Sequence, residues 1–216
     1  MKLLRRIVAV AAVILTTLVL FVYFDNYNNL GKEDSSDEKL LGKDIEKEKI
    51  EKYTEGFMEC VSKFDIELLV ANLDEVSDYD FEELSRIEKM KEYFENQCSK
   101  MTYEIKSLDV NTKTVVLEVK YIDMTDFVAS LLVNQMTYTI KPDSQAEEII
   151  KAENKLVEES VKDTKDSYDE KEITLELIST EKLYIVKSTK EIRDMITCDY
   201  LKAIDSLNMK PVIMTQ

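Results

Sequence analysis

The chain has 216 residues, 44 of them acidic and 29 basic, for a net charge of −15, and it contains neither histidine nor tryptophan. That balance repels nucleic acid, which draws in cationic surfaces, and it opposes anionic lipid headgroups. Without histidine, no Ser-His-Asp, Cys-His or HExxH centre can be assembled. The only glycines are Gly31, Gly42 and Gly56, so the phosphate-cradling turns of nucleotide-binding folds are excluded as well.

The chain opens with Lys2, Arg5 and Arg6, followed by an uncharged run from Ile7 to Phe24. Such a run is long enough to cross a bilayer core as a helix. The cations before it and the acids after it predict a cytoplasmic N-terminus and an external remainder. The run ends in the bulky Phe21-Val22-Tyr23-Phe24, without the small residues of a signal cleavage site, so an uncleaved anchor is expected. The expected division is a cytoplasmic tail at 1–6, a transmembrane helix at 7–24, a linker at 25–44 and an extracytoplasmic domain at 45–216. All 44 acidic residues but only 26 of the 29 basic ones follow residue 24, giving the external part a charge of −18. This is first of all a solvated, soluble surface.

From Ile45 the pattern turns helical, with Ile50, Tyr53, Phe57, Val61 and Phe64 in one stripe. Asp65 can cap a short helix bearing Ile66, Leu69 and Leu73, and Asp80 a longer one bearing Phe81, Leu84, Ile87, Met90, Phe94 and Cys98. The period then drops to two. Tyr103 and Ile105 alternate with polar neighbours, as do Val115, Leu117, Val119 and Tyr121 beyond a turn at Asp109–Thr114, predicting an antiparallel pair. A slip in phase near Leu108 predicts a bulge or strand end.

Asp126–Met136 reads as a buried helix and Thr137–Ile140 as a short strand, before Pro142 breaks the chain. Ser144 with Glu147 forms a capping box that opens a long charged helix bearing Ile149, Ile150, Leu156, Val157 and Val161. The charge run Glu158–Glu172 is read as a solvated helix face. Ile173, Leu175 and Leu177 predict a strand, and Leu183–Val186 its partner across a turn at Ser179–Lys182. Ser188 with Glu191 forms a second capping box, opening a last helix that carries Ile192, Met195, Ile196, Tyr200, Ala203 and Leu207. The expected fold is α+β, with the helical stripes packed on one face of a curved antiparallel sheet.

This order of elements over about Ile45 to Ser188 resembles the nuclear transport factor 2-like (cystatin-like) superfamily, and in particular its membrane-anchored extracytoplasmic bacterial members. The resemblance implies a cone-shaped sheet, with Ala146–Ser167 as a helical insertion and Ile173–Ile178 and Lys182–Lys187 as a final hairpin; the C-terminal helix Lys190–Leu207 is an extra beyond it. Leu183 stands where such members usually carry tryptophan. Tyr53, Tyr121 and Tyr184 would lie at the mouth of the cone and contact a small ligand. Packing in the core or at the sheet edge is the alternative role for these three.

Catalysis of the ketosteroid-isomerase kind needs an aspartate base near a tyrosine donor in an apolar pocket. Only Asp123 beside Tyr121, or Asp65 beneath Phe64, could be nominated, and no catalytic residue is assigned. Asp78, Asp80 and Glu82 begin like a calcium loop, but Glu83 and Lys89 stand where glycine and glutamate are required, so no metal site and no cofactor is expected. Cys60, Cys98 and Cys198 lack zinc spacing and read either as buried free thiols or as one disulfide and a remaining thiol. The expected function is a non-catalytic binding or assembly module of a bacterial envelope, held in the plasma membrane through residues 7–24, with a protein partner or a second copy of itself. A small-ligand binder using the cone is the alternative, and an isomerase- or hydrolase-type enzyme a third.

Overall fold

The computed structural model describes residues 37–75, 81, 84–137, 146–180 and 183–207. The expected transmembrane run, the calcium-like acids, Asp80, Pro142 and Ser144 lie outside these residues, as does most of the expected Thr137–Ile140 strand. Among the described residues no helix is long and apolar enough to cross a membrane.

The fold is α+β around one open four-stranded antiparallel sheet of order β1-β2-β3-β4. Helices α1 (Asp37–Ser62), α2 (Ile66–Asn72) and α3 (Glu88–Cys98) precede strands β1 (Thr102–Asp109) and β2 (Thr114–Ile122). Helices α4 (Thr125–Thr137) and α5 (Ala146–Lys162) follow, then strands β3 (Tyr168–Ser179) and β4 (Tyr184–Val186), then helices α6 (Lys190–Ile196) and α7 (Tyr200–Ser206). Residues from Ile45 onward form one compact unit.

The predicted stripe of α1 is buried at Ile50, Phe57 and Val61, and Phe64 follows it into the core. The helix starts at Asp37, so the end of the expected linker is helical. Asp65 caps α2 as expected, its side chain accepting from the Leu68 N–H at 3.2 Å. The helix expected from Asp80 is interrupted. Ile87 has extended backbone (φ −93°, ψ 113°) and α3 starts only at Glu88, although Phe81, Leu84, Ile87, Met90, Phe94 and Cys98 all reach the core. Burying Ile87 in an extended conformation keeps its side chain inside while the chain changes direction.

Strands β1 and β2 pair across the expected turn, and the phase slip is a bulge. Ile105 faces Leu117 while Ser107 faces Val116, leaving Lys106 as the extra residue. The bulge allows Ile105 and Leu108, three apart, to lean on the same face. Helix α4 departs from expectation. Phe127, Val128 and Leu131 are buried, but Val133 and Met136 are exposed. The helix packs against α5, where Ser130 Oγ donates to the Ser160 carbonyl at 3.1 Å. Thr137 ends this helix rather than starting a strand.

The largest correction concerns the charge run. Residues Tyr168–Glu172 are strand, not helix face: β3 runs for 12 residues and pairs with β2 from Ile122↔Tyr168 to Thr114↔Glu176. The C-terminal helix is also divided. Its cap is Thr189, which accepts from the Ile192 N–H at 3.2 Å, not Ser188, whose N–H is held by Asp74. It stops at Ile196, and the chain turns through Cys198 and Asp199, both with left-handed backbone (φ 50° and 60°), before α7 begins.

The core joins these parts through aromatic rings. Phe64 stacks on Phe94 at 4.7 Å, Phe94 meets Tyr200 edge-on at 5.2 Å, and Tyr93 packs on Phe127 at 4.4 Å. Each such contact adds about 1 kcal/mol beyond its buried area. Together they fix α3, α4 and α7 against the end of α1.

Candidate functional site

One face of the β2–β3 pair begins as pure core. Val115 faces Leu175 and Leu117 faces Ile173, all four buried. Two residues further along, the same inward positions of β3 hold Lys171, opposite Val119, and Asp169, opposite Tyr121. Strand geometry therefore points a lysine and an aspartate inward.

Their charges are met by the C-terminal turn. Lys171 Nζ donates to Asp199 at 2.5 Å, to Asp169 at 2.8 Å and to the Tyr121 hydroxyl at 2.7 Å, and it stands over the Tyr121 ring at 5.2 Å. Lys202 Nζ reaches the same Asp199 oxygen at 3.0 Å. Asp199 is 1% exposed, and its other oxygen, Oδ1, is buried with no hydrogen-bond partner among the described residues. The turn is pinned by Met124, whose N–H donates to the Cys198 carbonyl at 2.9 Å, and by the Asp199 N–H, which donates to the Asp194 carbonyl at 2.7 Å. Two successive left-handed residues that are not glycine cost of order 1–3 kcal/mol each, and these bonds hold them there.

Asp123, Asp169 and Asp199 bring carboxylate oxygens within 4.8 Å of one another. Three carboxylates so close could hold a hard cation. Here the chain supplies its own cations, Lys171 and Lys202, and Asp123 Oδ1 is engaged by the Thr125 N–H at 2.8 Å and its hydroxyl at 2.5 Å. Burial works against the Lys171 ammonium, but the bonds from Asp169, Asp199 and Tyr121 outweigh it and hold its pKa far above the ordinary value. Asp169, bonded to Lys171, is held below the usual carboxylate range. Burial pushes the Tyr121 hydroxyl well up, against the opposing pull of Lys171. Neither Lys171 nor Tyr121 releases a proton near neutrality, so this knot of charge offers neither an amine nucleophile nor a phenolate.

Sequence reasoning placed Tyr121 with Tyr53 and Tyr184 at one mouth. The structure brings two of the three together. The Tyr53 and Tyr184 rings meet edge-on at 5.7 Å; Tyr53 donates to Asn72 Oδ1 at 3.1 Å, and Tyr184 donates to Glu46. Tyr184 pairs with Ser179, whereas Tyr121 pairs with Asp169 ten residues back along β3, which is about 33 Å of strand. Tyr121 is 1% exposed and packs as core. Of the two aspartates nominated for catalysis, Asp65 caps α2 and Asp123 caps the start of α4. A shallow open groove of about 390 Å³ lies elsewhere, between α1 and β1, lined by Glu55, Met58, Glu59, Ser62, Met101 and Tyr103.

Lys171, Asp169 and Asp199 were missed. A signal for the first two was present, because alternation back from Ile173 places 171 and 169 on the inner face. The charges hid it. No protein family, curated protein or solved structure matches this chain.

Proposed function

We propose that this chain is a tethered, acidic, non-catalytic module of a bacterial envelope, anchored by residues 7–24 and presenting the α+β domain outside the membrane to a protein partner or a second copy. The observation that carries this reading is the uncharged run Ile7–Phe24, with three cations before it and only acidic excess after it. Two features of the folded domain support the non-catalytic part. In the cluster of Asp123, Asp169 and Asp199, the last two are paired with the chain's own Lys171 and Lys202, and Tyr121 is buried beside them. The hydroxyls of Tyr53 and Tyr184 are already taken by Asn72 and Glu46. A helical layer against an antiparallel sheet is compatible with a nuclear transport factor 2-like cone. On that reading α5 is the insertion and β3–β4 the final hairpin.

Cross-linking in intact cells, followed by purification of the tagged full-length chain from detergent extracts, tests the proposal. A stoichiometric partner or a defined homo-oligomer in the membrane fraction is expected. Recovery as a lone monomer, or from the soluble fraction, overturns it.

A further inference from the structure

Cys98 closes α3 and Cys198 sits in the turn between α6 and α7. They are 100 residues apart in sequence, yet their sulfurs are 3.7 Å apart. Both side chains are fully buried, and all three cysteines are free thiols. The separation is that of two touching sulfur atoms, about 1.7 Å more than a covalent S–S bond. A metal is a poor explanation for the contact. Among the described residues the one cluster able to hold an ion is the aspartate trio, and the thiols have no third ligand beside them. Cys60 is different. It is half-buried on α1, and its pKa is raised by burial and by the nearby Asp65 and Glu59, which keeps its thiolate scarce.

We propose that Cys98 and Cys198 form the disulfide of this chain, made by exchange with a disulfide-bearing oxidant while the C-terminal helices close over α3, with Cys60 left as the free thiol. One thiol of the pair loses its proton and attacks a sulfur of the oxidant, giving a mixed disulfide and releasing one reduced thiol. The second thiolate then attacks the protein sulfur of that mixed disulfide. The Cys98–Cys198 bond forms and the second oxidant thiol leaves. The protein gives up two protons and two electrons, and the S–S bond of the oxidant is reduced. The step belongs to the closing chain because the folded pair is sealed from solvent, and its shared contact and burial hold the Cys98 thiol well above its usual pKa. The bond would fasten the turn that carries Asp199, the residue after Cys198. The pairing rests on packing, and its oxidation in the cell rests on the proposed placement of the domain outside the membrane, where disulfides persist.

The full-length chain in detergent is reduced, unfolded and refolded with oxidised glutathione. After acid quenching it is denatured and labelled with a maleimide polymer. One labelled thiol is expected, rising to three after reduction, with a peptide joining Cys98 to Cys198 and lighter by two hydrogens. Cys60→Ser is expected to keep the link and show no labelled thiol. The thermal midpoint of the oxidised chain is expected to exceed that of the reduced chain by roughly 5–15 °C. Three labelled thiols after oxidation, a link involving Cys60, or a lowered midpoint overturns the proposal.

Discussion

The two ends of β3 use tyrosine in opposite ways. At the Asp169 end, Tyr121 is buried and its hydroxyl accepts from a lysine that two aspartates share. At the Ser179 end, Tyr184 and Tyr53 stay partly exposed, meet edge-on, and donate to groups on α1 and α2. The first end is committed to holding the C-terminal turn against the sheet. The second is a lighter clasp between β4 and the first helices, where water can replace a lost partner. A tyrosine's position along one strand thus decides whether its hydroxyl is part of a buried charge balance or a contact at the rim.

The sharpest way to break that contrast is Asp199→Ala. It leaves Lys171 short of its most buried partner and is expected to cost about 3 kcal/mol in urea unfolding. An effect below about 1 kcal/mol would mean that water already shares the site.

Alkaline unfolding comes next. The folded pKa of Lys171 lies above its unfolded value of about 10.4, and that of buried Tyr121 lies above about 10. Their contribution is complete below those unfolded values and is lost as pH rises through the folded ones. Asp169 behaves in the opposite sense: with its folded pKa depressed, its contribution is complete above about pH 4 and is lost on acidification. Since histidine is absent, stability is expected to be flat from roughly pH 5 to 9 and to fall on both sides. A titration of the thermal midpoint with a step near pH 6–7 would contradict this.

Tyr121→Phe removes one acceptor from Lys171 and is expected to cost about 1–1.5 kcal/mol while shallowing the alkaline limb. Tyr184→Phe, at the rim, is expected to cost less than about 1 kcal/mol, since the ring contact with Tyr53 survives and Glu46 turns to water. If the two Phe variants fall equally, the contrast between the ends is lost.

Much of the fold was readable because burial and period coincide. Ile50, Phe57 and Val61 mark α1, and Val115 to Tyr121 mark β2 without ambiguity. The bulge showed itself as a slipped phase at Leu108. What escaped reading has physical causes. Cys198 and Asp199 adopt left-handed backbone without being glycine, so nothing local announces the break that divides α6 from α7; tertiary bonds impose it. The start of β3 was hidden because its inward positions carry Asp169 and Lys171, which pair with each other while Lys171 also draws on Asp199 from a distant segment. The site was accordingly less legible than the fold. Tyr121 was singled out for its aromatic character, but its partner Lys171 could be found only by carrying the alternation through charged residues.

The bulge at Lys106 has a further consequence. Among the described residues β1 is an edge strand, with β2 as its sole neighbour in the sheet. An uninterrupted edge of eight residues would be a template for strand addition by another chain. The extra residue breaks that run in the middle, and Lys106, bonded to Glu104 at 3.0 Å and Glu118 at 2.5 Å, sets charge at the break. The opposite edge, β4, is only three residues long, and Val186 is bridged to Leu73. Among the described residues both margins of the sheet thus carry features that disfavour stitching onto a second sheet, and contacts made through side chains are the expected way for this domain to meet company.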